Sequence, residues 1–122
     1  MDKRSELGKI GEDITSKKLE REGFCILHKN YRKRSGEIDI IAQKEEILIF
    51  VEVKMRRKPL FDLSYLIVPS KQKKIITVAK EYISRYDHSD KICRFDVALI
   101  EGTKDNHKMT YFENAFTEAE YY

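Results

Sequence analysis

Acidic residues and a lysine lie on two short apolar segments, in an alternating pattern that could support metal-dependent chemistry. The segments are EIDIIA (37–42) and EILIFVEVK (46–54). Because side chains alternate between the faces of a strand, Glu37 and Asp39 share one face, and so do Glu52 and Lys54. Carboxylates crowded at cross-strand spacing repel one another unless a proton or cation intervenes. Oxygen ligands without nearby His or Cys favour Mg²⁺ or Mn²⁺ over zinc.

The register of the predicted hairpin decides whether these groups meet. Seven apolar residues occupy one face: Ile38, Ile40, Ala42, Ile47, Ile49, Val51 and Val53. A short loop through Gln43, Lys44 and Glu45 pairs Ala42 with Ile47. A slip by one residue would mix carboxylates into the apolar face, so the pattern selects this register. The acids and Lys54 then gather at the open end of the opposite face.

The acid–lysine pattern also has an ordinary interpretation. Glu52 and Lys54 could form a cross-strand ion pair worth about 0.2–1 kcal/mol. The apolar run from Ile47 to Val51, however, is typical of a central strand covered on both faces. Acidic residues there are half-buried, which is costly unless they bind something. Both interpretations stay open at this point.

The surrounding pattern predicts the elements that must position these residues. We expect helices over 5–22 and 70–86, strands over 24–31, 37–42, 46–54 and 93–100, a weaker strand over 108–113, and a peripheral tail over 114–122. A long connection covers 55–69. The order predicts a mixed α/β sandwich in one domain spanning residues 1–122. Gly8 and Gly11 predict close packing of the first helix.

Each helix offers one further polar candidate. Glu12 falls at the edge of the apolar face of the first helix and could reach the hairpin, or it could be a solvated flanking residue. Gln72 lies on the apolar stripe of the second helix, where an amide needs a partner. A capping role and a contact to phosphate or water are both open.

Charge is distributed unevenly along the 122 residues, although the formal net charge is only +3. Positive residues concentrate in three segments: 29–34 (KNYRKR), 54–58 (KMRRK) and 71–74 (KQKK). Each segment alone could simply solvate a loop. If they meet in space, they form a surface that faces a polyanion.

Composition excludes several classes of protein. There is no apolar run of the length that a transmembrane helix needs, and no apolar region typical of a signal peptide at the N-terminus. Cys25 and Cys93 lie far apart, which indicates reduced thiols and a cytoplasmic setting. The scattered histidines argue against a zinc site.

Several strings together resemble the YraN family of bacterial proteins. They are Gly11-Glu12, Asn30-Tyr31-Arg32, GEIDIIA (36–42), IFVEVKMR (49–56), KQKKI (71–75) and RFDVALI (94–100). That family is similar to the PD-(D/E)XK nucleases and to archaeal Holliday-junction resolvases. The resemblance covers roughly residues 6–100. It implies a restriction-endonuclease-like α-β-β-β-α-β core, with a mixed central sheet flanked by helices.

The resemblance also implies roles for individual residues. Asp39 and Glu52, with the Val53 carbonyl, would hold Mg²⁺ or Mn²⁺, and Lys54 would be the lysine of the D…ExK signature. Further catalytic positions would be Glu12, Glu37 and Gln72. The DNA backbone would be held by Arg32, Lys33, Arg34, Arg56, Arg57 and Lys71. Met55 departs from the family pattern, which usually has a small Thr or Ser after the lysine.

The implied activity is metal-dependent endonucleolytic hydrolysis of DNA phosphodiester bonds, at branched or nicked DNA in repair or recombination. The resolvase likeness implies a homodimer, because two strands must be cut symmetrically. One alternative is a nucleic-acid-binding module that retains the nuclease fold without catalysis. Another is a small protein-interaction domain.

Overall fold

The computed structural model describes residues 3–58 and 67–117, without the side chains of residues 3–5. Its elements are α1 (Lys3–Arg21), β1 (Cys25–Lys33), β2 (Gly36–Lys44), β3 (Ile47–Arg56), α2 (Pro69–Arg85), β4 (Ile92–Gly102) and β5 (His107–Phe116). Within these ranges, neither helix is both long and apolar enough to cross a membrane. The predicted α/β class and element order are confirmed.

The five strands form one mixed sheet in the order β1-β2-β3-β4-β5. Neighbouring strands are antiparallel except for β3 and β4, which run parallel. Parallel neighbours need a crossover connection, and α2 lies on that connection. The central strand β3 is therefore paired on both edges, which limits how far its side chains can move.

The two helices cover opposite faces of the sheet. On the α1 face, Leu19 packs with apolar residues of β2, β3 and β4, among them Ile40 and Val51. On the α2 face, Tyr82 and Val78 pack with another set that includes Phe50. Strand β3 contributes buried side chains to both clusters, as its continuous apolar run predicts.

The hairpin register differs from the prediction by two residues. Ala42 pairs with Ile49, and Lys44 pairs with Ile47, so only residues 45 and 46 form the turn. Glu45 has a positive φ of 54°, which suits a tight reversal. Because the shift is by an even number of residues, it leaves the paired residues from Ile40 onward on their predicted faces.

The prediction for Ile38 is wrong: it packs in the α2 cluster, while Ile40 packs in the α1 cluster. The cause is local, because the pairing of β2 with β3 begins only at Ile40 and Val51. Before that point the Asp39 carboxylate, rather than a backbone carbonyl, accepts the Val53 N–H at 2.8 Å. The divergence of the two strands turns Asp39 toward the end of the sheet.

The structure also corrects the prediction for the start of the tail. Residues 114–116 belong to β5, and Phe116 is buried against Phe95 with ring centroids 5.1 Å apart. Within the predicted connection over 55–69, residues 59–66 lie outside the described residues, as do 118–122 of the tail.

Helix α1 approaches β3 most closely at Gly11. A Cβ at this position would lie 3.1 Å from both Met55 Cβ and Val53 Cγ1, so the predicted close packing is confirmed there. At Gly8 it is not, because nothing lies within 4 Å of the corresponding point. The absence of a side chain at Gly11 lets the helix rest directly on β3.

We expect Gly11→Val to lower the free energy of unfolding by roughly 1–3 kcal/mol, because the added methyl groups overpack this contact. Urea denaturation followed by circular dichroism measures the loss. Gly8→Val is the matched control, since it makes the same change of helix propensity without the clash. Equal destabilisation of the two variants would contradict the packing argument.

Candidate active site

A cleft of about 730 Å³ opens where β2 and β3 diverge. It brings together eight of the predicted site residues: Glu12, Glu37, Asp39, Glu52, Val53, Lys54, Arg56 and Lys71. Lys74 also lines it, one helical turn beyond Lys71, although it was not predicted. The helical spacing of lysines in KQKK is the signal that could have identified Lys74.

Asp39 is a half-buried acid whose pKa lies above its ordinary range. Burial, followed by the negative charge of Glu52, raises the pKa of Asp39 to about 8. The hydrogen bond from the Val53 N–H opposes this rise without cancelling it. The carboxyl group is thus held beside a second acid, in a place where its charge is poorly compensated.

Glu52 is the second acid of the cleft, with 5% of its side chain exposed, and two lysines neutralise it. Its Oε1 atom lies 2.5 Å from Lys71 Nζ and 3.6 Å from Lys54 Nζ. Strand alternation puts Glu52 and Lys54 on the α2 face, and the first turns of α2 bring Lys71 to the same carboxylate. Glu52 and Lys54 therefore form the ion pair of the ordinary interpretation, but they form it inside the cleft.

The two lysines respond to this surrounding in opposite ways. Burial, followed by the hydrogen bond with Lys71, lowers the pKa of Lys54. Burial also acts to lower the pKa of Lys71, but the charge of Glu52 and hydrogen bonds to Glu52 and Lys54 outweigh it and raise that pKa. Lys71 therefore holds its proton, and with it its positive charge, more tightly than Lys54 does.

Two more acids stand at the margin of the cleft, each held by a residue of β1. The Asn30 side chain donates to Glu12 Oε1 at 2.9 Å, and Arg32 Nε lies 3.1 Å from Glu37 Oε2. Burial raises the pKa of Glu12, while the Asn30 hydrogen bond partly offsets the rise. Glu12 thus faces the cleft rather than being a solvated flank.

The remaining predicted residues are not part of the cleft lining. The Gln72 amide donates to the Ile67 carbonyl at 3.0 Å and so ties down the segment before α2. Lys33 lies on the other side of the β1–β2 turn, against Tyr31. Arg34 and Arg57 are exposed near the two ends of the site. Their predicted contacts to DNA stay predictions.

The residues of the cleft fit a divalent ion only through a small ligand set. Across residues 3–58 and 67–117, no three His, Cys, Asp or Glu side chains form a group that could hold a metal ion. Asp39 and Glu52 remain, and Mg²⁺ commonly binds one or two carboxylates while keeping several waters. The raised pKa of Asp39 marks a carboxyl group that a cation would stabilise in its charged form.

One buried polar network was missed by the sequence analysis. Asp96 on β4 is fully buried and accepts hydrogen bonds from Arg94, from the Tyr111 hydroxyl at 2.6 Å and from the Asn114 N–H. It joins β4 to β5 away from the cleft. Within RFDVALI only Arg94, two residues before Asp96, could have indicated this network, because the other partners, Tyr111 and Asn114, lie on β5.

The fold resembles that of a solved Holliday junction resolvase. A solved structure of the Archaeoglobus fulgidus Holliday junction resolvase Hjc superposes with a TM-score of 0.56 over 84% of this chain and 72% of that chain, at 20% identity. Such low identity shows the fold alone. It confirms the predicted architecture.

The sequence comparisons then give the family. The model of the Uncharacterised protein family UPF0102 matches residues 11–100. UPF0102 proteins of Dictyoglomus thermophilum and Nitrosomonas eutropha are each 43% identical to this chain, over 91% and 82% of its length and over 97% and 84% of theirs. The chain belongs to the UPF0102 family, and the resemblance to YraN proteins is confirmed.

Proposed function

We propose that this protein is a divalent-metal-dependent endonuclease that hydrolyses phosphodiester bonds in branched or nicked DNA. The observation that carries the proposal is the pairing of the half-buried Asp39 and the buried Glu52 with Lys54 and Lys71 in one cleft. Burying two acids beside each other is costly. Such clusters of titratable groups are typical of functional sites. The resolvase-like fold supports the same class of substrate.

Each cleft residue has a role that its position supports. Asp39, Glu52 and the Val53 carbonyl would hold the ion, which would supply a polarised phosphate and a water of lowered pKa. Lys54, with its lowered pKa, would orient the attacking water or stabilise negative charge on the phosphate. Glu12 and Glu37 would act on the same water network from the margin of the cleft.

The basic residues near the cleft would position DNA without reading its sequence. The proposed set is Arg32, Lys33, Arg34, Arg56, Arg57 and Lys71. Binding of duplex DNA should then weaken steeply with salt, with a log–log slope of about −0.9 for each phosphate neutralised.

Nicking of supercoiled plasmid and cleavage of a four-way junction in Mg²⁺ or Mn²⁺ test the proposal. We expect Lys54→Ala to reduce the cleavage rate by roughly 100-fold or more, because removing one such stabilising group typically costs that much. Lys17→Ala, on the exposed side of α1, is the matched control and should cleave like the unmodified chain. Equal rates for both variants would contradict the assignment.

A non-catalytic DNA-binding module is the second candidate, and one observation favours it. Lys54 and Lys71 already pair with the buried Glu52 carboxylate, so residues of the chain balance its charge. Isothermal titration with Mn²⁺ separates the two candidates. The enzyme proposal requires a site that Glu52→Ala removes, whereas the binding module predicts salt-sensitive DNA binding and no such site.

A further inference from the structure

A second groove lies beside the cleft, between β1 and the C-terminal half of α2. Its volume is about 530 Å³, and it is lined by Tyr31, Lys33, Lys80, Glu81, Ser84 and Arg85. Three cations face one acid, and that acid already accepts a hydrogen bond from Ser35 Oγ at 3.4 Å. The groove is therefore positively charged, and none of the cleft acids lines it.

Tyr31 lines the groove beside Lys33, and Tyr86 lies next to Arg85, just outside the groove lining. Lys33 Nζ lies 5.3 Å from the centre of the Tyr31 ring, and Arg85 Cζ lies 5.7 Å from that of Tyr86. Tyr86 is 41% exposed, and its inner side rests on Tyr82, with ring centroids 4.7 Å apart. An exposed aromatic ring that packs against a second ring offers its free face for stacking with another planar group.

The groove continues the cleft along one side of α2. Lys71 and Lys74 line the cleft, while Glu81 and Arg85 line the groove. Spacings of three, seven and four residues keep these positions on one helical face. Fourteen residues of helix separate Lys71 from Arg85, which is about 21 Å at 1.5 Å per residue. That is enough for several successive phosphates of one strand.

We propose that this groove binds a single-stranded segment of the nucleic acid whose duplex part occupies the cleft. Lys33 and Arg85 contact its phosphates, and a base stacks on Tyr86. Basic grooves with exposed aromatic rings bind single strands in this way. The inference rests on the proposed function, since it takes the cleft as the place where DNA is held.

Binding without metal tests the groove independently of cleavage. Fluorescence anisotropy in EDTA compares a short labelled duplex with the same duplex carrying a ten-nucleotide tail at either its 3′ or its 5′ end. For the unmodified chain, we expect one tail polarity to tighten binding roughly 10-fold, from a stacked base and two phosphate contacts. No gain from either tail would overturn the proposal.

Four variants assign that gain to the groove. The double variant Lys33→Gln/Arg85→Gln should lose the gain and lower the salt slope for tailed DNA by about 1.4, at about 0.7 per single-strand phosphate. Lys17→Gln/Arg21→Gln, with the same change of charge on α1, should keep the gain. Tyr86→Ala should reduce it severalfold, and Tyr86→Phe should restore it, because only the ring is needed.

Some outcomes would contradict single-strand binding in the groove without bearing on cleavage in the cleft. A tail gain unchanged in the double variant, or equally lost in both double variants, would overturn it. So would tighter binding of a poly-glutamate peptide than of the tailed DNA, which would indicate an acidic protein partner. Asp39→Asn should retain the tail gain in EDTA, so a failure of cleavage and a failure of the groove remain distinguishable.

Discussion

Asp39→Asn is expected to abolish metal-dependent cleavage while making the fold more stable at alkaline pH. Substituting a residue that only supports a metal ligand lowers metal affinity or activity about 10–100-fold. Because Asp39 is a ligand itself under the proposed function, its loss should lower the cleavage rate at least about 100-fold. Stability changes in the opposite direction, because the carboxyl group is half-buried beside Glu52.

The sign of the pH dependence follows from the raised pKa. The pKa of Asp39 is about 8 in the folded chain, against an ordinary value of 3.8, so the folded state binds the proton more tightly. Its contribution to stability is full at acidic pH and is lost as the pH rises from about 4 through about 8. Asparagine cannot ionise, so the variant should lack this loss.

Urea denaturation at pH 5 and pH 8.5 measures the effect. The unmodified chain should lose on the order of 2–4 kcal/mol more than Asp39→Asn between these two pH values. Glu20→Gln, an exposed acid on α1, serves as the control and should behave like the unmodified chain. If Asp39→Asn were the less stable protein at pH 8.5, the account of a poorly compensated carboxylate would be wrong.

Asp96→Ala is expected to produce the largest loss of stability, on the order of 3–5 kcal/mol. The substitution leaves the Arg94 guanidinium, the Tyr111 hydroxyl and the Asn114 N–H without their shared acceptor. A buried donor without a partner costs its full desolvation free energy. The join between β4 and β5 would be weakened as a result.

A graded pair of variants makes this prediction specific. Tyr111→Phe removes a single donor and should cost only about 1–2 kcal/mol. Asp96→Asn keeps an acceptor oxygen and should fall between the two. Thermal or urea denaturation gives the order, and a loss below about 1 kcal/mol for Asp96→Ala would contradict the network's structural role.

The sequence alone predicted the central strand and most of the residues that line the cleft. The apolar run from Ile47 to Val51 identified β3 as a strand covered on both faces, and strand alternation then placed Glu52 beside Lys54. Helical periodicity brought Glu12 to the same region. These features depend on local spacing, which the order of residues contains directly.

Other features depend on partners that are distant in sequence. The strand divergence at Asp39 arises because its side chain takes the Val53 N–H, and no alternation rule anticipates such a replacement. Lys71 was expected to contact DNA, but in the structure it pairs with Glu52. The role of Asp96 depends on Tyr111 and Asn114, which come from a strand that the sequence indicated only weakly.

The contact between Lys71 and Glu52 has a consequence for how the proposed ligands would assemble. When both acids are ionised, two carboxylates and two ammonium groups cancel, so an arriving divalent ion meets no net attraction. Phosphates that draw Lys71 away would expose the negative charge that the ion needs. Such linkage is reciprocal, so metal and nucleic acid would each raise the affinity for the other. Under the proposed function, Lys71 would thus oppose metal binding until nucleic acid has bound.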